Sequence, residues 1–176
     1  MNNIVLEIWD DECEKVTFYT VKKEGAHSSE ADKFFEKYEN DRDYKDQVDE
    51  LLSLVLKVIG DEYGAIAPFF NRQKNDIAGL PPKGRVCVEN ITFHYPEFPF
   101  RLYALRINNW EDIVVLFNVG IKEGRTDQES KDLSLKFNEA QDCAKRIEAA
   151  IREGMIVVDE KNRKLISFDG SDDIIL

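Results

Sequence analysis

Four residues of this chain have the types and spacing for chemistry: Arg101, Tyr103, Arg106 and Lys122. The first three share the apolar stretch Phe100 to Ile107, and Lys122 follows the next one, Ile113 to Ile121. Two guanidiniums, an ammonium and a phenol make a basic, tyrosine-bearing rim on an otherwise apolar sheet, a small cationic patch and the one constellation of the chain that suggests chemistry. Arg72, Lys74 and Arg125, on the flanking segments, read as phosphate contacts. Each residue also has a plainer reading. Arg101 and Arg106 would pair with Glu97, Glu111 or Asp112 across a hairpin, Tyr103 would be a half-buried sheet aromatic, and the other cations would solvate loops and strand ends. His94 is a spare candidate for proton transfer, read more simply as a loop histidine with a structural hydrogen bond.

These side chains need a platform. Phe100 to Lys122 is the most apolar passage of the sequence and reads as a β-hairpin turning through Asn108-Asn109-Trp110-Glu111-Asp112. In its second half Ile113, Val114, Val115, Leu116, Phe117 and Val119 follow with almost no polar break, which predicts a strand covered on both faces at the middle of a sheet. Before it, Ile4 to Ile8 and Lys15 to Val21 flank an acidic turn and predict a hairpin of two edge strands.

Ser28-Ser29 supplies an N-cap for a short helix carrying Ala31, Phe34, Phe35 and Tyr38 and ending at Asn40. Val48, Leu51, Leu52, Val55, Val58 and Ile59 predict a second helix running to Gly60, and the two should pack as a hairpin on the sheet. Four glycines and three prolines make residues 60–84 an irregular connection. Arg85 to Phe93 alternates as one strand, while Pro96 and Pro99 keep the next segment out of a central ladder.

Thr126 and Glu129 have capping-box spacing. The helix they open carries Leu133, Phe137, Ala140, Ala144, Ile147 and Ile151 as a continuous seam, for the sheet or for a partner helix. Gly154 stops it, residues 155–168 read as a last hairpin turning near Lys161-Asn162, and the tail to Leu176 forms a short strand or is free to dock.

The pattern predicts an α+β fold: a mostly antiparallel twisted sheet, with an N-terminal helical hairpin and a long C-terminal helix packed on it. One domain is expected, with residues 1–27 as an N-terminal hairpin, 28–154 as the core and 155–176 as a C-terminal hairpin and tail.

The formal charge of −11 argues against a chain that grips nucleic acid over its whole surface. The distribution is uneven, since residues 61–125 hold eight Lys+Arg and eight Asp+Glu, leaving the central hairpin neutral between acidic flanks. Cys13, Cys87 and Cys143 lack the spacing of a zinc or redox motif and are expected as buried reduced thiols; with two histidines besides, no metal and no cofactor are expected. No signal peptide and no apolar run of about 20 residues is seen, so a soluble, cytoplasmic protein with no membrane partner is expected. Nucleotide-binding glycine motifs, nucleophile motifs and paired catalytic carboxylates are missing too.

The order of strand, two helices, irregular link, strands ending in a Gly120/Lys122 rim and a following helix is similar to the RelE/ParE toxin superfamily. FRLYALRI, IVVLFNVGIKEGR and TDQESKDLSLKFNEAQDCAKRI resemble the C-terminal half of its HigB-type, phage-derived branch, over about residues 45–150. The resemblance implies a RelE-like core with extra terminal hairpins. It also implies the toxin of a toxin-antitoxin pair, a ribosome-dependent endoribonuclease that cuts mRNA without a metal and is silenced by a small antitoxin protein. On this reading Arg101 corresponds to the family's strand arginine and Lys122 to the first lysine of its turn, with Tyr103 and Arg106 assisting. Glu123 stands where a second lysine would be. That carboxylate and the acidic composition point to the alternative, a non-catalytic interaction module on the same scaffold that holds a protein partner, or a second copy through the helix of residues 127–153.

Overall fold

The computed structural model describes residues 2–109, 111–122 and 127–176. In chain order they form β1 (Ile4–Asp10), β2 (Thr17–Lys23), α1 (Glu30–Tyr38) and α2 (Lys45–Leu52), which continues as a π-helical segment over Ser53–Tyr63. Then come β3 (Gln73–Lys74), β4 (Ile77–Leu80), β5 (Arg85–Val88), β6 (Ile91–His94), β7 (Phe100–Arg106) and β8 (Ile113–Ile121). The chain ends with α3 (Asp127–Arg152), β9 (Ile156–Asp159), β10 (Lys164–Ser167) and β11 (Ile174–Ile175). The class is α+β with a mostly antiparallel sheet, as the sequence predicts.

Seven strands make the main sheet, in the order β11-β1-β2-β8-β7-β4-β3. β8 stands fourth and is buried from Ile113 to Gly120, as its unbroken apolar run requires. The N-terminal hairpin forms, yet its strands are not edges. β2 is itself buried over Thr17–Val21 and lies parallel to β8, with Thr17 opposite Ile113 and Thr20 opposite Leu116. Thr20 Oγ1 donates to Leu116 O at 2.9 Å, so even its polar side chain is satisfied inside the sheet. The acidic-then-apolar tail becomes β11 and covers the outer side of β1, pairing Ile174 with Leu6.

Ser29 caps α1, its hydroxyl accepting from Asp32 N at 3.1 Å. Gly60 does not end the second helix. A Cβ there would lie 2.6 Å from Cys13 Sγ, so glycine lets the helix approach the loop after β1, and the chain leaves the helix only at Gly64, φ +83°. The irregular link also hides two strands of the main sheet: β3, and β4, whose four residues are all buried against β7. Glycine and proline composition conceals a strand this short. Residues 85–94 are two strands and not one, turning at Glu89 and Asn90 with φ of +50° and +69°, the left-handed pair that joins a tight hairpin.

The sheet has a core on each face. α1, α2 and the π-helical segment cover one with Phe34, Phe35, Leu51 and Leu54 on Phe18, Leu102, Ala104 and Leu116. α3 covers the other with Ala140, Ala144 and Ile147 on Tyr19, Leu105, Val115 and Phe117. The seam of α3 therefore lies against its own sheet, and the β9–β10 hairpin adds Ile156 and Leu165 to the same core. The three cysteines are free; Cys13 is buried, but Cys143 is only half-buried and Cys87 is exposed on β5, against the expectation of three buried thiols.

Candidate functional site

Strand alternation decides which of the proposed site residues can meet. Along β7, Leu102 and Ala104 point into the core beneath α1 and α2, and Tyr103 and Leu105 into the core beneath α3. Arg101 falls on the α3 side with Tyr103, two positions away. Arg106 falls on the other side, its guanidinium carbon 5.1 Å from the Phe70 ring centroid and its Nη1 donating to Ala65 O at 3.2 Å. The expected grouping of Arg106 with Arg101 and Tyr103 is thus broken by a single step of parity. Among the described residues neither arginine forms an ion pair with Glu97, Glu111 or Asp112.

What the structure does bring together is Arg72, Arg101 and Tyr103. β4 lies beside β7 with Gly79 opposite Tyr103, and a Cβ built on Gly79 would sit 3.6 Å from both Arg101 Cδ and Tyr103 Cε1. Arg72 reaches the same place from the segment before β3, with its Nε donating to Pro81 O at 3.0 Å. Arg101 Nη1 donates to Phe98 O at 2.9 Å and Phe100 O at 2.8 Å. Both guanidiniums therefore bond backbone carbonyls, which fix their positions without cancelling their charge. Burial and then the like charge of Arg72 push Arg101 down to about 10, and burial lowers Arg72. Both are protonated at neutral pH, and two cations that disfavour each other's charge favour an anion between them.

Tyr103 is less available than the sequence reading made it. It is 9% exposed, packs edge-on to Phe137 of α3 at 5.8 Å between centroids, and its hydroxyl donates to Leu133 O at 3.4 Å. Burial, chiefly, raises its pKa. The phenol in this position supports the arginines from below and offers no ring face for stacking.

Lys74 and Lys122 stand at the margins. Lys74 Nζ lies 5.1 Å from the Phe137 centroid, on the same α3 side. Lys122 follows β8 directly, where Gly120 lies opposite Arg101, and its backbone N donates to Pro99 O at 2.6 Å. Arg125 and Glu123 lie outside the described residues. His94 is exposed on β6, whose neighbour Phe93 packs on Tyr63 and Phe69 within the α1/α2 core.

Three further residues shape the site: Gly120, which the sequence offered only as part of the rim, and Asp132 and Pro81, which carried no sequence signal. A Cβ on Gly120 would meet Leu133 Cδ2 at 2.7 Å, so glycine there lets α3 close over the strand end. Asp132 Oδ2 accepts from Ile121 N at 2.9 Å and ties the same helix to β8. Pro81 offers the carbonyl that holds Arg72. Each acts through a long-range contact that no local spacing encodes.

The cavities lie elsewhere. A shallow cleft of about 790 Å³ opens at the opposite end of β8, lined by Glu14, Lys15, Tyr63, Glu111, Asp112 and Arg163 among others. A second, of about 480 Å³, lies between β2 and α3. Among the described residues no group of three or more His, Cys, Asp or Glu could hold a metal ion. No helix of the described residues is long and apolar enough to cross a membrane.

Fold and site together define an α+β protein with a paired-arginine site at one end of its central hairpin. Compared with known proteins, the chain matches no family model, no curated protein and no solved structure.

Proposed function

We propose that this chain engages the phosphodiester backbone of RNA at Arg72 and Arg101, as a RelE/HigB-type toxin that cleaves translated mRNA on the ribosome. The observation that carries the reading is the arginine pair: two partly buried guanidiniums, held by carbonyls and, among the described residues, by no carboxylate, beside the end of the central hairpin. In a cleavage that starts from a 2′-hydroxyl, the negative charge that builds on the pentavalent phosphate needs fixed cations, and this pair supplies them. Lys122 at the strand end adds a further cation at the rim. Tyr103 acts as a positioning residue, keeping Arg101 and the start of α3 in register. In support of that reading, β2, α1, α2, β7, β8 and α3 follow one another in the chain, with β3 and β4 of the main sheet and the β5–β6 hairpin between α2 and β7.

Inducible expression in a bacterium tests the proposal. Growth arrest and cleavage of translated messages, both relieved by Arg101→Ala with Arg72→Ala, are the expected result. A wild-type chain that leaves growth and messages untouched would sink it.

One observation favours a second reading. Tyr103 is covered by α3 and cannot exchange a proton with a bound message in this arrangement. A non-catalytic module would use the same arginine pair to hold an acidic segment of a protein partner, such as an antitoxin. Binding of RNA without cleavage, or of an acidic peptide in preference to RNA, would decide for it.

A further inference from the structure

The β9–β10 hairpin has two faces, and the fold uses one of them. Ile156 and Leu165 lie in the core beneath α3, and Leu165 N donates to the Tyr19 hydroxyl at 2.8 Å. Lys164 pairs with Asp11 at 2.9 Å, and Arg163 Nη1 donates to Glu14 O at 2.6 Å, so the hairpin is pinned to the loop after β1. Strand alternation puts Val157 and Ile166, directly opposite each other, on the outer face. Met155 and Phe168 come next to them, joined by Phe168 N donating to Met155 O at 2.9 Å. Met155, Val157 and Phe168 are 47%, 51% and 65% exposed. Large apolar side chains gathered on the open face of a fixed hairpin, whose other face is already buried, mark a surface for a partner.

Charge says which partner. Glu153, Asp159, Glu160 and Asp169 border the face along the chain. Hydrogen bonds from Asn162 to Asp159, and from Ser171 to Asp169, hold both carboxyls below their usual range, so both are ionised at neutral pH. Of the hairpin's cations, Arg163 and Lys164 are committed to the loop after β1, which leaves Lys161 at the turn. The turn itself opens onto the cleft of about 790 Å³, where Glu160 joins Glu14, Glu111 and Asp112 against Lys15 and the carbonyl-bound Arg163. From Met155 to Asp159 is about 13 Å, the length of roughly nine helical residues, so one short helix spans the apolar face and reaches the cleft.

We infer that the outer face of β9–β10 docks a basic amphipathic helix of a protein partner. Its apolar side lies on Val157, Ile166 and Phe168, and a lysine or arginine enters the cleft beside Glu160. A second copy of this chain, with its charge of −11, would bring like charge to the same border, as would an anionic lipid surface, so the border selects against both. The surface shares no residue with the arginine pair, and the inference stands apart from RNA cleavage.

Fluorescence anisotropy with a labelled 18-residue helical peptide, leucine on one face and lysine on the other, tests it on the full chain. Saturable binding with a Kd below about 100 µM is expected. The same peptide with glutamate for lysine, or with serine for leucine, should bind at least about tenfold more weakly. Phe168→Ser, at an exposed position, should weaken binding by about tenfold, and Glu160→Lys by about fivefold or more, while Glu36→Lys, the same charge change on the exposed side of α1, should stay within about twofold. Should either hairpin variant fail to fold, the three peptides compared on the wild-type protein keep the test decisive. Sedimentation velocity of the chain alone should show a monomer. No saturable binding, binding that Glu36→Lys weakens as much as Glu160→Lys does, binding indifferent to Phe168→Ser, or a stable dimer that Phe168→Ser dissociates would overturn the inference.

Discussion

On the face of the sheet covered by α1 and α2, Arg106 stacks over Phe70 and donates to Ala65 O; on the face covered by α3, Arg101 donates to two carbonyls and lies against Arg72. The two arginines sit on the same strand, five positions apart. Their surroundings differ because five is odd. On the first face the charge is met by the negative face of an aromatic ring, a favourable contact that asks for nothing further. On the second it is met by another positive charge, which leaves an electrostatic demand for an anion. One face therefore stabilises the fold with its cation, and on the proposed function the other keeps a cation for binding. The first face is also dense in rings, with Phe100 at 4.8 Å from Phe34 and 5.2 Å from Tyr44, while the second closes on small residues, Gly120, Ala140 and Ala144.

The largest test of that contrast is Phe100→Ala. Phe100 is fully buried in the aromatic cluster, and its loss should cost about 3–5 kcal/mol in urea denaturation. A cost near zero would show that the ring-rich face is not where stability lies. Next, Arg101→Ala should reduce RNA cleavage by about 100-fold or more, the scale of losing a donor that stabilises transition-state charge. Arg106→Ala should leave cleavage within about threefold and lower stability by about 1–2 kcal/mol. Equal effects of the two on cleavage would erase the distinction between the faces.

Gly120→Ala should destabilise by about 1 kcal/mol, because the new methyl meets Leu133 Cδ2 at 2.7 Å and turns that side chain out of its packing. Hydrogen exchange would detect this as faster opening around Leu133. A neutral result would mean that α3 closes over the site with room to spare.

The smallest effect concerns pH. Burial and then the like charge of Arg72 hold Arg101 down at about 10, below the ordinary guanidinium range, so above that pH the unfolded chain holds the extra proton and stability rises with pH. Below about 10 both states are protonated and the difference is constant. Anion binding runs the other way and is lost as pH rises through about 10. A single-stranded DNA oligonucleotide titrated on either side of that pH should show the loss, and Arg101→Ala should show a smaller one, from lysines alone.

The unbroken run from Ile113 to Phe117, rich in β-branched residues, suits a strand covered on both faces, and it is the centre of the sheet. The spacing of Ala140, Ala144 and Ile147 fixed which side of α3 is buried, and Ser29 marked where α1 begins. These are properties of periods and caps, which a chain carries locally. The sequence could also supply the residues of the site, but not their company. Arg72 meets Arg101 because the hidden strand β4 pairs with β7, and a four-residue strand among glycines and prolines has no period long enough to read. The N-terminal hairpin escapes the edge because the tail returns as β11 beside β1 and β8 accepts β2 in parallel, two pairings between segments far apart in the chain. Arg106 leaves the site by parity once Leu102 and Ala104 are committed to the α1/α2 core. Which positive charges become neighbours is a matter of strand pairing across distant segments, and only the folded sheet decides it.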